Sequence, residues 1–180
     1  MTRSEASAPR QNIELKARLA DLDAARRTAV ALCGNNGTVE RQKDTYFRCP
    51  RGRLKLRQIE GESSRLIAYA RADEPRPRAS DYRLVEVADG ETLCAALADV
   101  LGIAVVVEKQ REIFLYNNVR IHLDRVEGLG TFIEFEAVLA SPAGQAEGAR
   151  QVRELSQRFG LQPHDLVAAS YSDLLLSAGP

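Results

Sequence analysis

Apolar and charged residues alternate along this chain at the period of a β-strand. Glu14-Leu15-Lys16-Ala17-Arg18, Arg53-Leu54-Lys55-Leu56-Arg57, Lys109-Gln110-Arg111 and Glu134-Phe135-Glu136 each put ionised side chains at every second position. Residues i and i+2 of a strand share a face, so each segment predicts a strand with one greasy and one ionised side. The same reading predicts strands at about 11–19, 38–48, 53–59, 65–71, 82–87, 103–116, 119–126 and 131–139. Asn117-Asn118 suits a tight two-residue hairpin turn, and Gly128 and Gly130 flank a second tight connection. Pro50, Gly52 and Gly61 punctuate the earlier strands, and 73–80, with Pro75 and Pro77, reads as a loop.

Elsewhere the spacing is helical. Leu22, Ala25, Ala29 and Leu32 form a stripe after the capping residue Asp21, with Gly34 placed to end it. Leu93, Leu97, Val100 and Leu101 predict a second helix over 91–101, with these residues inward and Gly102 as its stop. Two more helices are expected at about 147–159 and 164–177, separated by Pro163; the last carries a stripe of Leu166, Val167, Ser170, Tyr171 and Leu174 that packs on the sheet. The count is about eight strands and four helices, mostly strand–turn–strand. This predicts an α+β chain whose sheet is mainly antiparallel.

Composition narrows the function. At 180 residues the chain fits one domain, expected over 10–178 after a disordered polar N-terminus at 1–9. Twenty-five basic and 25 acidic residues give no net charge, which argues against a general nucleic-acid or membrane-surface role. Cys33, Cys49 and Cys94 show no CxxC spacing and imply neither a disulfide framework nor a thiolate zinc site. Cys33 and Cys94 are expected as buried thiols. No apolar run approaches the ~20 residues needed to span a bilayer. The first residues also lack the apolar core of a signal peptide, so a cytoplasmic location is expected.

Strand parity collects the charges. Lys16, Arg18, Arg53, Lys55, Arg57, Arg65, Arg71, Lys109 and Arg111 share the polar face with Glu14, Asp124, Glu134 and Glu136, leaving an excess of five positive charges. A triphosphate brings about four negative charges near neutral pH. Arginine offers its oxygens a planar fork and lysine a compact charge. The carboxylates suit a hard divalent cation, Mg²⁺ or Mn²⁺. Any antiparallel sheet turns charge toward water, and cross-strand Lys–Glu pairs would also explain the alternation. Here it recurs on at least five strands and the signs are segregated, with cationic strands and a final pure carboxylate strand.

These residues resemble the CYTH domain family, the triphosphate tunnel metalloenzymes that include class IV adenylyl cyclase and thiamine triphosphatase. Asn12-Ile13-Glu14-Leu15-Lys16 resembles the family's opening Glu-x-Glu-x-Lys strand, and Lys55-x-Arg57 and Lys109-x-Arg111 resemble its basic strands. The run from His122 through Asp124 to Glu134-Phe135-Glu136 resembles the class IV cyclase branch most, and Tyr171-Ser172-Asp173-Leu174-Leu175 is also similar. The resemblance covers about residues 11–176. It implies a closed eight-stranded antiparallel β-barrel, a tunnel with a polar charged lumen. It implies a metal-dependent enzyme that cleaves a triphosphate: either ATP to cyclic AMP and pyrophosphate, or inorganic, nucleoside or thiamine triphosphate by hydrolysis. By resemblance, Glu14, Glu134 and Glu136 hold Mg²⁺ or Mn²⁺, and Asp124 assists or positions the nucleophile. Lys16, Lys55, Arg57, Arg71, Lys109 and Arg111 grip the phosphates.

Asn12 departs from the family, standing where its first Glu is expected. An amide oxygen can ligate a metal but adds no charge, which keeps open a non-catalytic polyphosphate- or nucleotide-binding module. A plain β-barrel interaction protein is a third reading. Arg18, Arg53 and Arg65 are rim charges or structural ion pairs, and Arg125 has the outward parity. His122 shares the parity of Asp124 and is expected as a hydrogen-bonding residue of the lumen, and His164 as a surface or capping residue. Tyr46 and Tyr69 are either stacking partners for a ligand base or buried aromatics. The expected partner is a small triphosphate, without nucleic acid or membrane. A homodimer is possible.

Overall fold

A computed structural model describes residues 10–71 and 73–179; the expected disordered stretch 1–9 lies outside the described residues. The alternating segments form eight strands: β1 (Arg10–Arg18), β2 (Thr38–Phe47), β3 (Arg53–Ile59), β4 (Ser64–Arg71), β5 (Arg78–Val87), β6 (Ile103–Tyr116), β7 (Val119–Val126) and β8 (Gly130–Val138). Four helices accompany them: α1 (Leu22–Cys33), α2 (Gly90–Leu101), α3 (Gln145–Arg158) and α4 (Tyr171–Ala178). The strands close in the order β1-β5-β4-β3-β2-β6-β7-β8, each paired antiparallel to its neighbours. The class and the closed eight-stranded barrel are therefore as expected. A barrel of this size has an interior just wide enough for side chains or one small ligand.

Closure sorts the two faces of each strand. The apolar face of β1, β7 and β8 points outward and carries the core: Ile13, Leu15, Ala17, Ile121, Leu123, Ile133 and Phe135 are buried beneath α1 and α3, against Ala25, Ala29, Val152 and Leu155. Each large side chain buried this way contributes about 1.5–3 kcal/mol. Helix α3 lies so close that a Cβ on Gly148 would meet Leu139 Cδ2 at 2.9 Å and Ile13 Cγ1 at 3.2 Å. Asp21 caps α1, accepting the Ala24 N–H at 2.9 Å, and Gly34 ends it in the left-handed region at φ 70°. With the core outside the sheet, the inside is left to polar groups.

A smaller apolar cluster fills one end of the barrel. Tyr46, Val107, Val126, Phe132 and Tyr171 are buried there, with Leu174 and Leu175 of α4 packed against them. The opposite end is open to water: Arg120 is half exposed and Glu86 more so.

Four expectations are corrected. The final helix is not continuous over 164–177. Pro163–Asp165 make a 3-10 turn, Leu166 then bridges Ala17, and the Val167 N–H donates to the Lys16 carbonyl at 2.9 Å. The helix begins only at Tyr171, where Ser170 and Asp173 form a capping box. Val100 is not inward but 82% exposed, while α2 buries Gly90 against Ser64 and leaves Leu93, Leu97 and Leu101 half-buried. Strand β5 begins at Arg78, within the expected loop, because β1 supplies a partner there in Glu14. Cys33 and Cys94 are only half-buried, one in the last turn of α1 and the other on the loosely packed α2.

Candidate active site

Paired residues of an antiparallel ladder share a face, and the register carries one ring of side chains around the lumen. Glu14 stands opposite Glu136 and Arg78; Lys16 opposite Glu134; Glu134 opposite His122; Asp124 opposite Arg111; Asp44 opposite Arg57; Lys55 opposite Tyr46. The structure therefore brings together every expected site residue except Arg71. That residue, at the end of β4, pairs with Ser80 of β5, but its side chain is outside what is described.

The basic part of the ring converges on one carboxylate. Asp44 accepts from Lys55 Nζ at 2.9 Å, from Arg57 Nε and Nη2 at 2.7 and 2.8 Å, and from Lys109 Nζ at 2.8 Å. Asp44 is 1% exposed. Burial opposes its charge, but Arg57, Lys109 and Lys55 outweigh that and hold the carboxyl well below the usual range. Desolvation drives Lys109 the other way, lowering its ammonium to about 7 despite Asp44. An open groove of about 760 Å³ borders this cluster, its lining including Gln42, Ile59 and Lys109. Gln42 Oε1 is buried there without a partner.

Across the lumen the charges are matched. Arg111 grips Asp124 with Nε and Nη2 at 2.7 and 2.6 Å, and the Tyr171 hydroxyl donates to the same carboxylate at 2.7 Å. Asp124 is fully buried. Its carboxyl is lowered because Arg111 overcomes the penalty of burial. Glu134 lies 3.4 Å from Lys16, 3.6 Å from Arg111 and 3.4 Å from His122 Nδ1. Burial pushes its carboxyl up, but Lys16 and Arg111 hold it well below the usual range. Lys16 itself is lowered by burial and sits 4.0 Å over the Tyr171 ring. Glu136 pairs with Arg120 at 3.2 Å and accepts from Asn12 Nδ2. Glu14 lies 3.2 Å from Arg78.

Glu14, Glu134 and Glu136 share one wall, yet each faces a cation, and among the described residues no group of three or more His, Cys, Asp or Glu is gathered as a metal cage. The donor set nevertheless fits a hard divalent ion. It offers three carboxylates on adjoining positions and Asn12 Oδ1, which is buried with no partner. An anion finds a similar opening in Arg78, whose buried Nη2 reaches Glu14 at ion-pair distance but is misaligned for a hydrogen bond.

Some expectations are resolved here. His122 is a buried lumenal side chain and His164 is exposed. Arg53 pairs with Asp73 and with Asp173 of α4, both at 2.7 Å, and Arg65 pairs with Glu62 and Glu86. Arg18 donates to the Leu129 carbonyl and lies over the Phe132 ring. Tyr46 is buried, hydrogen-bonded to Tyr69. Arg125 is exposed, as its parity required. Asp44, Arg78 and Tyr171 were not anticipated at the site. The alternation Glu40-x-Gln42-x-Asp44-x-Tyr46 carried the signal for the first of them.

A lumen with a basic wall facing a carboxylate wall meets a family match over residues 10–171, to the CYTH domain. The chain belongs to the CYTH family. The adenylate cyclase CyaB of Aeromonas hydrophila is 27% identical, over 92% of this chain and 88% of its own length. The PH1012 protein of Pyrococcus horikoshii OT3 superposes with a TM-score of 0.80 at 27% identity, over 91% of this chain and 98% of that one. The PH1819 protein of the same organism shares the fold at a TM-score of 0.72 and 22% identity, over 93% and 99%. As a member of the family it is a triphosphate-processing tunnel protein.

Proposed function

We propose that this CYTH protein binds the triphosphate of a small molecule in the barrel and cleaves it with Mg²⁺ or Mn²⁺. The observation that carries the reading is the rack of Lys55, Arg57 and Lys109 on a single carboxylate, Asp44. Three cations share one anion, so the wall keeps a nominal excess of two positive charges, buried and pre-oriented. Phosphate oxygens complete what Asp44 leaves unfinished. Arg78 and Arg111 extend the same grip toward the carboxylate wall.

Phosphoryl transfer needs in-line geometry and neutralised charge more than covalent help. The cations supply the neutralisation and fix the chain of phosphates. Glu14, Glu134 and Glu136, with Asn12 Oδ1, would hold the metal, which when bound adds charge neutralisation at the phosphate oxygens. Asp124, tied to Arg111 and Tyr171, orients the guanidinium toward the lumen. Two outcomes suit this arrangement. Water attacking the terminal phosphorus releases orthophosphate. A ribose 3′-hydroxyl attacking the α-phosphorus releases pyrophosphate and leaves a cyclic nucleotide. The similarity to a protein named adenylate cyclase favours the second.

The test incubates the protein with ATP, inorganic triphosphate and thiamine triphosphate, each with Mg²⁺ or Mn²⁺. Orthophosphate, pyrophosphate and cyclic AMP are followed separately. Pyrophosphate with cyclic AMP in equal amounts from ATP is the expected result for a cyclase; for a hydrolase it is orthophosphate without cyclic AMP, joined by an equal amount of pyrophosphate where inorganic triphosphate is the substrate. No product from any substrate with either metal would refute the reading.

A further inference from the structure

One side chain of α4 reaches from the apolar end of the barrel into the charged site. Tyr171, the first residue of that helix, is buried with Tyr46, Val107, Val126 and Phe132, its ring edge-on to Phe132 at 4.9 Å. A phenylalanine would fill this apolar space equally well. The hydroxyl goes further and donates to Asp124 Oδ2 at 2.7 Å, the atom that also accepts from Arg111 Nη2 at 2.6 Å. The other oxygen, Oδ1, accepts from Arg111 Nε at 2.7 Å. Held by Arg111 alone, Asp124 and its guanidinium pivot together. The phenol fixes the carboxylate from a second direction, and the guanidinium with it. A guanidinium has five N–H donors. Arg111 spends two of them on Asp124, which leaves three for other acceptors. The plane of Asp124 sets where those three point.

The same ring supports a second cation. Lys16 Nζ lies 4.0 Å from its centroid, and Glu134 stands 3.4 Å away on the other side of the contact. An ammonium over an aromatic face is attracted to it, most strongly where water is excluded. The two residues after Tyr171 hold the helix in place. Ser172 is buried against Tyr46, and Asp173 accepts from Arg53 at 2.7 Å while closing the capping box with Ser170. That box fixes where α4 begins, and so how far the phenol reaches. Three consecutive residues thereby tie the helix to β1 and β7, to β2 and to β3.

We propose that Tyr171 is a positioning residue: its hydroxyl, through Asp124, and its ring, against Lys16, hold Arg111 and Lys16 in the arrangement that grips phosphate. The docking of α4 is then part of the site and not only a closure of the barrel. The inference rests on the triphosphate reading above.

The test is calorimetric titration of inorganic triphosphate, with Mg²⁺, into the full chain and into Tyr171→Phe, which keeps the ring and removes only the hydroxyl. Affinity should fall roughly three- to tenfold, the scale of one net hydrogen bond. In an Arg111→Lys background the same substitution should cost less than about twofold, because the fork it positions is gone and effects that act through one another do not add. A hydroxyl with only a structural role costs the same factor in both backgrounds. That result, or no loss in the first background, would overturn the inference while leaving the triphosphate reading in place. Should Arg111→Lys fold poorly, hydrogen exchange of the Arg111 Nε–H is followed by NMR in wild type and Tyr171→Phe. It should quicken roughly tenfold in the variant, with the Arg57 Nε–H on Asp44 unchanged. Equal change at the two arginines, or none at Arg111, would overturn the inference. Failure of wild type to bind inorganic triphosphate would overturn the triphosphate reading and this inference with it.

Discussion

The two walls of the tunnel handle charge in opposite ways. Around Asp44, three cations share one carboxylate. Around Glu134 and Asp124, carboxylates and cations are matched nearly one to one, with Lys16 and Arg111 against the two acids and His122 beside them. The first wall is electrostatically incomplete and gains by taking an anion. The second is self-satisfied, and a metal entering it competes with Lys16, Arg78 and Arg120 for Glu134, Glu14 and Glu136. Charged wall residues alone therefore do not identify a ligand; the local imbalance between them does. A buried ion pair is costly to break on one side, because the remaining charge stays buried.

The largest effect expected from this contrast is at Asp44. Asp44→Asn leaves three buried cations without their shared anion, and breaking such a pair costs about 3–5 kcal/mol. Urea unfolding should show that loss. Inorganic triphosphate should restore more of it in the variant than it adds to wild type, since it supplies the missing negative charge. Next in size is Arg57→Ala, which removes a bidentate donor and leaves Asp44 still held by Lys55 and Lys109. Triphosphate affinity should fall tenfold or more, at about 1.5–3 kcal/mol for a charge-assisted bond. The melting temperature should change little, and collapse of the fold instead would make Arg57 a structural ion pair.

Proton linkage gives an intermediate effect. Burial holds Lys109 at about 7, against 10.5 for a free lysine. Between those values the unfolded chain binds the proton and the folded chain does not, so Lys109 makes stability rise with pH through that window. Triphosphate binding opposes this by favouring the ammonium. Titrations above pH 7 in buffers of different ionisation enthalpy should show proton uptake on binding, and it should be absent in Lys109→Met. The smallest effect is expected at Arg53→Ala, which frees α4 from a partly exposed ion pair with Asp173. A loss of about 1 kcal/mol or less in unfolding free energy is expected.

Much of this was legible in the sequence because the strand period is simple. Glu14, Lys16, Lys55, Arg57, Lys109, Arg111, Glu134 and Glu136 all lie on the face that their parity gave. The organising residue Asp44 stands in the same alternation but is a single acid, with Arg41 and Lys43 before it and Tyr46 after it, and its partners Lys55, Arg57 and Lys109 reach it only through pairing with β3 and β6. Arg78 was hidden by Pro75 and Pro77, which mark a loop locally while tertiary pairing with Glu14 starts β5 early. Tyr171 was visible only as part of a helical stripe. Leu166 and Val167 fit that stripe by spacing, yet pairing with Ala17 and Lys16 draws them into an extended course. Side-chain period reveals faces; it does not reveal which acid the bases on a face will choose.

The most direct test of the central claim is titration of inorganic triphosphate into wild type, without metal and then with Mn²⁺, beside a Lys55→Ala, Arg57→Ala double variant. The account predicts one-to-one binding by wild type, tightened by Mn²⁺, and a loss of at least tenfold, about 1.4 kcal/mol, in the folded double variant. Binding of equal strength in the two proteins, or none in wild type, would contradict it.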